Sequence, residues 1–200
     1  MELVFATNNQ GKLKEMRTLL AGLNIKIWSA SGAGIDEDVI EDGETFFDNA
    51  YKKAEFVASK TGKYALADDS GLCIDHLNGE PGVRTARWAG ENAGDRELVE
   101  HTLKTLKGVA LKNRRARFKS VLVLVSPDKK YWSFKGEVEG VITESPQGKN
   151  RSSLPYDLIF QPDGFDVTFA QMSDEQKNSL SHRGKAFQKL REFLLLMQDL

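Results

Sequence analysis

The sequence predicts an α/β fold built on a mixed sheet. Short buried strands alternate with amphipathic helices in the first half of the chain, and a β-hairpin opens the second half. No internal repeat, linker or low-complexity tract interrupts the 200 residues, so a single domain over 1–200 is the expectation.

The elements follow in order. Leu3 to Ala6 is an apolar run of strand length, and Thr7-Asn8-Asn9-Gln10-Gly11 after it reads as a loop. Leu13, Met16, Leu20 and Leu23 then share one helical face. Residues 31–43 are acidic and glycine-bearing, hence loop. A second helix starts near Glu44, with Phe46, Phe47, Ala50, Ala54 and Val57 at helical spacing. Tyr64 to Ala67 is a second buried strand and Leu72 to Ile74 is extended. Residues 78–94 hold Gly79, Pro81, Gly82, Gly90 and Gly94 and read as a long loop. A third helix covers Asp95 to Leu106. Arg117 to Val125 and Tyr131 to Ile142 are β-rich and form the hairpin, connected through Ser126-Pro127-Asp128. Residues 145–168 are loop-rich around an apolar island at Leu158 to Phe160. Ser173 with Gln176 fits a capping box, and Ser181 caps a last helix with a stripe of Ala186, Phe187, Leu190, Phe193, Leu194 and Met197.

Composition removes several classes of function. The 28 Lys+Arg and 29 Asp+Glu leave a formal charge of -1, which excludes bulk-charge attachment to nucleic acid and an acidic disordered chain. Cys73 is the single cysteine, so neither an intrachain disulfide nor a cysteine-based metal cluster can form, and a reducing compartment is expected. No apolar run nears the roughly 20 residues of a membrane span. The first residues lack the basic region of a signal peptide. Together these point to a cytoplasmic protein without a membrane partner.

Four stretches could carry chemistry. Thr7, Asn8, Asn9, Gln10, Gly11 and Lys12 lie between a strand and a helix N-terminus, where backbone N–H groups and the helix dipole suit phosphate. The spacing is not that of a Walker A loop, and taken alone the stretch reads as a polar turn capping a helix. Asp68 and Asp69, followed by Ser70 and Gly71, set two carboxylates at the end of an apolar strand. Such a pair suits Mg²⁺, which takes one or two carboxylates and fills its other positions with phosphate and water. An Asp-rich turn fits equally. Glu41 could add an oxygen, although a solvated surface acid is the simpler account. Lys177, His182 and Arg183 gather near a helix start, where surface residues would also serve. Finally, Lys104, Lys107, Lys112, Arg114, Arg115, Arg117 and Lys119 fall within sixteen residues without an acid. The neutral chain and missing motif favour a solvated loop over a nucleic-acid contact. His76 and His101 show no ligand spacing with His182.

These pieces meet a known pattern. The sequence resembles the inosine/xanthosine triphosphate pyrophosphatase family, the non-canonical purine nucleoside triphosphate pyrophosphatases. The likeness is carried by Phe5 to Lys12, by Glu44 to Ala50 with Lys53-Ala54, by residues 65–90 (ALADDSGLCIDHLNGEPGVRTARWAG) and by residues 177–187 (KNSLSHRGKAF). It spans nearly the whole chain, with the motifs in order. The resemblance implies an elongated, mixed, twisted sheet with flanking helices and two lobes around a central substrate cleft. It also implies a homodimer and Mg²⁺-dependent hydrolysis of ITP, dITP and XTP to the monophosphate and pyrophosphate, which cleanses the nucleotide pool. It assigns Thr7 to Lys12 to the triphosphate and Asp69 to catalysis and metal, with Asp68 and Glu41 as further metal-side acids. Ser70 and Lys177 become substrate contacts, and His182 and Arg183 face the base. It also places Leu154, Pro155, Tyr156 and Asp157 at the substrate. Tyr156 and Asp157 keep the usual residues, whereas Leu154 stands for the Phe that would stack on the base and Pro155 for a Gly. Further departures are Gln171 for a common Glu and Trp88 for a Tyr. Two alternatives remain: a nucleotide pyrophosphatase with altered base specificity, or a nucleotide- or nucleic-acid-binding protein without hydrolysis.

Overall fold

A computed structural model describes residues 1–7, 9–150 and 153–198. One sheet of six strands runs in the order β2-β1-β3-β4-β5-β6. Its strands are β1 (Glu2–Phe5), β2 (Lys26–Ser29), β3 (Tyr64–Ile74), β4 (Arg115–Val125), β5 (Tyr131–Ile142) and β6 (Phe160–Pro162). The pairings are mixed: β1 is parallel to β2 and to β3, whereas β6 is antiparallel to β5. The helices are α1 (Gln10–Leu19), α2 (Phe46–Thr61), α3 (Asp95–Thr105), α4 (Asp174–Leu180) and α5 (His182–Gln198). An α/β protein with a mixed sheet and flanking helices is therefore what the chain forms.

The chain divides into two compact units. One comprises Met1–Asp69, Ser120–Gly136 and Arg183–Leu200; the other comprises Ser70–Lys119 and Glu137–His182. In the first, strand alternation sorts the core into two layers. Leu3, Phe5, Leu66, Leu122 and Leu124 pack on Leu13 and Met16 of α1 and on Ala186, Phe187, Leu190 and Leu194 of α5. The intervening Val4, Ala65, Ala67, Val121, Val123 and Val125 face Ala50, Ala54, Val57 and Ala58 of α2. Small alanines on both sides let α2 lie close to the sheet. Truncating Leu66, which is 0% exposed, should cost about 2–5 kcal/mol through lost burial and the cavity left behind. The core of the second unit gathers Leu72, Leu98, Phe118, Tyr156, Phe160 and Phe169.

Local chemistry sets the boundaries. Asn9 caps α1 by accepting the Lys12 N–H at 3.0 Å. Thr45 and Asp48 form a capping box at α2, and Gly62 closes that helix in the left-handed region at φ 62°. Ser173 and Gln176 form the expected box at α4.

Several elements differ from the sequence expectation. Helix α1 begins at Gln10, so Gln10 and Gly11 belong to its first turn rather than to a loop. It ends at Leu19, leaving Leu23 beyond it. The periodicity does not single out β2, in which Lys26 is exposed and the other three residues are only partly buried. The Leu158 to Phe160 island leads into β6. Most consequentially, Tyr64 to Ile74 is one strand of 11 residues that runs through Asp68, Asp69, Ser70 and Gly71 instead of stopping before them. No helix among the described residues is long and apolar enough to cross a membrane.

Candidate active site

Adjacent residues of a strand point to opposite faces of its sheet, and β3 obeys this at its acidic pair. Asp68 falls on the same face as Leu66, toward α1 and α5. Asp69 falls with Ala65 and Ala67, toward α2. The two neighbours in sequence therefore belong to two different electrostatic settings.

Asp68, 3% exposed, is held by donors from three other elements, Lys12, Arg183 and Ser120 among them. Lys12 Nζ lies 3.0 Å from Oδ2, Arg183 Nε donates to Oδ2 at 3.3 Å, and the Ser120 hydroxyl donates to Oδ1 at 2.8 Å. Arg183 also pairs with Glu15. Burial pushes the Asp68 carboxyl up, but Lys12, Arg183 and Ser120 outweigh it and hold the group well below the ordinary carboxylate range.

Asp69, 5% exposed, has a different set of neighbours. Asn49 Nδ2 donates to its Oδ2 at 3.1 Å, and Lys53 Nζ is 4.0 Å from its Oδ1. The same ammonium lies 2.8 Å from Glu41 Oε1 and donates to the Asp68 carbonyl oxygen at 3.0 Å. Burial raises the Asp69 carboxyl first; Lys53 lowers it and the Glu41 charge raises it again, leaving it pushed up to about 6. A buried carboxylate facing a second carboxylate across one shared lysine is a place where added positive charge is favourable.

This arrangement separates the three acids that the sequence groups around a metal. Glu41 and Asp69 share the α2 face through Lys53, whereas Asp68 points away into its own cations. Among the described residues, no group of three or more His, Cys, Asp or Glu side chains is arranged to hold a metal ion. A divalent ion here would be held by one or two carboxylates, which is how Mg²⁺ is commonly bound beside a phosphate substrate. Asp69 and Glu41 fit that requirement, and Asp68 is better described as the anchor of Lys12 and Arg183.

At the start of α1, the Thr7 hydroxyl accepts the Asn9 N–H at 3.2 Å. Gln10, Gly11 and Lys12 supply the helix's first turn, and Lys12 reaches Asp68. Asn8 lies outside the described residues. Ser70 follows Asp69 on β3.

The remaining sequence candidates belong to the second unit. Lys177 is 2% exposed and its ammonium lies 2.6 Å from Asp157 Oδ2. His182 stacks on Phe118 with ring centres 4.7 Å apart and an interplanar angle of 13°. Leu154 precedes a short 3₁₀ turn, Pro155–Leu158. Tyr156 is buried, and its hydroxyl donates to the Thr85 carbonyl oxygen at 2.8 Å. Trp88 meets His101 edge-on, at 5.3 Å and 84°. Gln171 Oε1 accepts the Thr168 N–H at 2.9 Å, a capping duty that a glutamate oxygen performs equally.

The basic stretch finds internal partners. Arg114 is buried and donates to the carbonyl oxygens of Val109, Thr143 and Leu106. Arg115 pairs with Asp163 and Glu139, Arg117 with Asp75, and Lys119 with Glu137. Four of the seven cations are thus committed within the protein, which removes the continuous positive surface a phosphate backbone requires.

Two residues of the cluster escape a reading by motif chemistry, Asn49 and Lys53. Their signal was present: they stand four apart on α2, beside an apolar stripe. A polar residue on a buried helix face needs a partner, and here both find Asp69.

Fold and cluster together define an α/β protein with a cation-lined acidic site. Comparison with known proteins narrows this. The Ham1 family profile matches residues 3–193. The dITP/XTP pyrophosphatase of Bacillus subtilis (strain 168) is 40% identical over 193 residues, covering 96% of each chain. That of Geobacter sulfurreducens is 43% identical over 192 residues, again covering 96% of each. Among solved structures, a HAM1 protein from Coxiella burnetii superposes with a TM-score of 0.89 at 38% identity, covering 98% of both chains. The Staphylococcus aureus Ham1 protein gives 0.87 at 40% identity, covering 97% of this chain and 98% of its own. The chain belongs to the Ham1 family.

Proposed function

We propose that this chain hydrolyses the non-canonical purine nucleoside triphosphates dITP, ITP and XTP to the monophosphate and pyrophosphate. The observation that carries the reading is the division of labour at β3. Asp68 anchors the cations Lys12 and Arg183, while Asp69 and Glu41 share the Lys53 ammonium. The names borne by the 39–43% identical relatives supply the substrate class.

A triphosphate brings about four negative charges and needs cations to meet them. Lys12 and the first backbone N–H groups of α1 supply positive potential for the phosphates. Lys177 is a second candidate cation, released from Asp157 or shared with it. Mg²⁺, held by Asp69 and Glu41, would neutralise phosphate charge and polarise the α-phosphate. Water attacks the α-phosphorus, the α–β anhydride bond breaks, and pyrophosphate leaves. Asp69 orients the attacking water and accepts its proton.

Inosine and xanthosine carry an oxygen at the six position where adenine carries an amino group. His182 and Arg183 are the donors proposed to read it, since arginine offers donors alone. We also place the enzyme in the cytoplasm as a homodimer, on its likeness to the family; sedimentation of the purified chain tests the dimer.

The functional test is a panel of dITP, ITP, XTP, dATP and dGTP with Mg²⁺, scored for pyrophosphate against orthophosphate. Pyrophosphate from the first three, lost on EDTA addition, is the expected result. Orthophosphate as the main product, or equal turnover of dATP, overturns the reading.

A further inference from the structure

The Asn49 side chain is wholly buried, 0% exposed, and stands between two partners with opposite requirements. The Gly43 N–H donates to its Oδ1 at 2.8 Å, and its Nδ2 donates to Asp69 Oδ2 at 3.1 Å. A backbone N–H can only donate and a carboxylate can only accept. The amide therefore has a single workable orientation. Flipped, it would set donor against donor at Gly43 and oxygen against oxygen at Asp69.

The two ends of this amide join parts of the site that are otherwise far apart in sequence. Gly43 closes the acidic stretch that carries Glu41, and Glu41 is drawn to Lys53 one helical turn after Asn49. Gly43 has no room for a side chain: a Cβ there would lie 2.7 Å from Asn49 Oδ1 and 2.7 Å from Asp48 Cβ. The backbone of the acidic stretch is thus seated against the amide. On Asp69, Asn49 takes Oδ2, and Oδ1 is turned toward Lys53.

We propose that Asn49 is a positioning residue, which sets the rotation of the Asp69 carboxylate and fixes it relative to the backbone that carries Glu41. The proposal rests on the reading of Asp69 and Glu41 as the metal-side acids. A partner that orients a ligating carboxylate typically governs metal affinity or activity by about 10- to 100-fold. A buried asparagine with a merely structural role would lower stability and leave the active population's constants unchanged.

The test compares Asn49→Leu, Gly43→Ala and the double variant with the wild type. Three quantities are measured: kcat and KM for dITP with Mg²⁺, melting temperature without metal, and Mn²⁺ affinity by calorimetry without nucleotide. In Asn49→Leu, kcat should fall about 10- to 100-fold with KM within about threefold, and Mn²⁺ binding should weaken by about tenfold. Gly43→Ala should lower kcat in the same direction, and the double variant should match the worse single one, because both cut one tie. A kcat within twofold of wild type in folded Asn49→Leu, unchanged Mn²⁺ affinity, or losses that multiply in the double variant would overturn the proposal. Should Asn49→Leu not fold, Asn49→Asp keeps the acceptor for Gly43 and loses the donor to Asp69. A kcat loss in it supports the proposal, and wild-type kcat refutes it. If the wild type itself releases no pyrophosphate, the functional reading fails. The Mn²⁺ titration, with Asp69→Asn as the non-binding control, then still decides the role of Asn49.

Discussion

Lys12 Nζ lies 3.0 Å from Asp68 Oδ2, joining the first turn of α1 to the middle of β3. Asp68 keeps Arg183 and Ser120 when Lys12 is removed, so the pair separates function from folding. Lys12→Ala should retain the fold and lower kcat/KM for dITP by about 10- to 1000-fold, at about 1.4 kcal/mol per decade. Asp68→Asn leaves two cations facing a neutral amide and should cost about 3–5 kcal/mol of stability. Urea unfolding and steady-state kinetics on both variants check this. A Lys12→Ala enzyme with unchanged kcat/KM would return the residue to a surface role. The pH dependence follows from the sign. The Asp68 carboxyl is depressed on folding, so its contribution is complete above about pH 4 and is lost as pH falls below that.

Asp69 behaves in the opposite sense. Its carboxyl is raised on folding to about 6, so the folded chain holds that proton more tightly than the unfolded chain. Stability from this group is present below about pH 4 and is lost as pH rises through 6, a loss of about 3 kcal/mol at about 1.4 per unit. Mg²⁺ should restore the difference above pH 6. Asp69→Asn, free of the charge, should melt at or above the wild-type temperature in EDTA at pH 7.5, yet show almost no turnover with Mg²⁺. Melts at pH 5 and 7.5, with and without Mg²⁺, give the comparison. Appreciable turnover in Asp69→Asn removes Asp69 from the chemistry.

Much of this was legible in the sequence because apolar periodicity reports burial directly. Leu13 and Met16, or Phe187, Leu190 and Leu194, announce their helices by spacing alone. What escaped was settled by pairings distant in sequence. Asp68 and Asp69 look like a strand terminus because two carboxylates are costly in a sheet. They remain inside β3 because Ser120, Arg183, Lys12, Asn49 and Lys53 converge on them from other elements. Once the strand is known to continue, its period of two dictates that the acids part company, and the expected three-acid grouping dissolves. The basic stretch at 104–119 reads as a positive patch in one dimension, whereas its partners Asp75, Glu137, Glu139 and Asp163 lie far along the chain.

Lys177 and Asp157 form a buried pair 2.6 Å apart. Both members are buried, and removing one from a buried pair costs about 3–5 kcal/mol. Asp157→Asn should therefore lower the melting temperature sharply. The double variant Lys177→Met with Asp157→Leu should recover much of that loss, because apolar replacement of a whole buried pair is often neutral or stabilising. Activity distinguishes the roles. If Lys177 serves the phosphates, the double variant melts near wild type and shows a raised KM for dITP. Wild-type kinetics in the stable double variant would make the pair structural alone.

Leu154 stands where the family likeness expects an aromatic ring against the base. Its backbone has φ -134° and ψ 55°, and Pro155 after it disfavours helical geometry at this position for any residue. Leucine and phenylalanine meet the same backbone restriction there. The two other rings weighed for this stack, Tyr156 and Trp88, are already engaged. The Tyr156 hydroxyl is bound to the Thr85 carbonyl oxygen, and Trp88 packs edge-on to His101. Base stacking on an aromatic ring contributes about 1–3 kcal/mol and discriminates little among purines. Leu154→Phe should therefore lower KM for ITP by about fivefold or more, at about 1.4 kcal/mol per decade. The preference for ITP over ATP should stay within about twofold, because it depends on donors to the six-position oxygen. Michaelis constants for ITP and ATP in the two enzymes decide the matter. An unchanged or higher KM for ITP in Leu154→Phe would mean that the turn opened by Pro155 holds residue 154 away from the base.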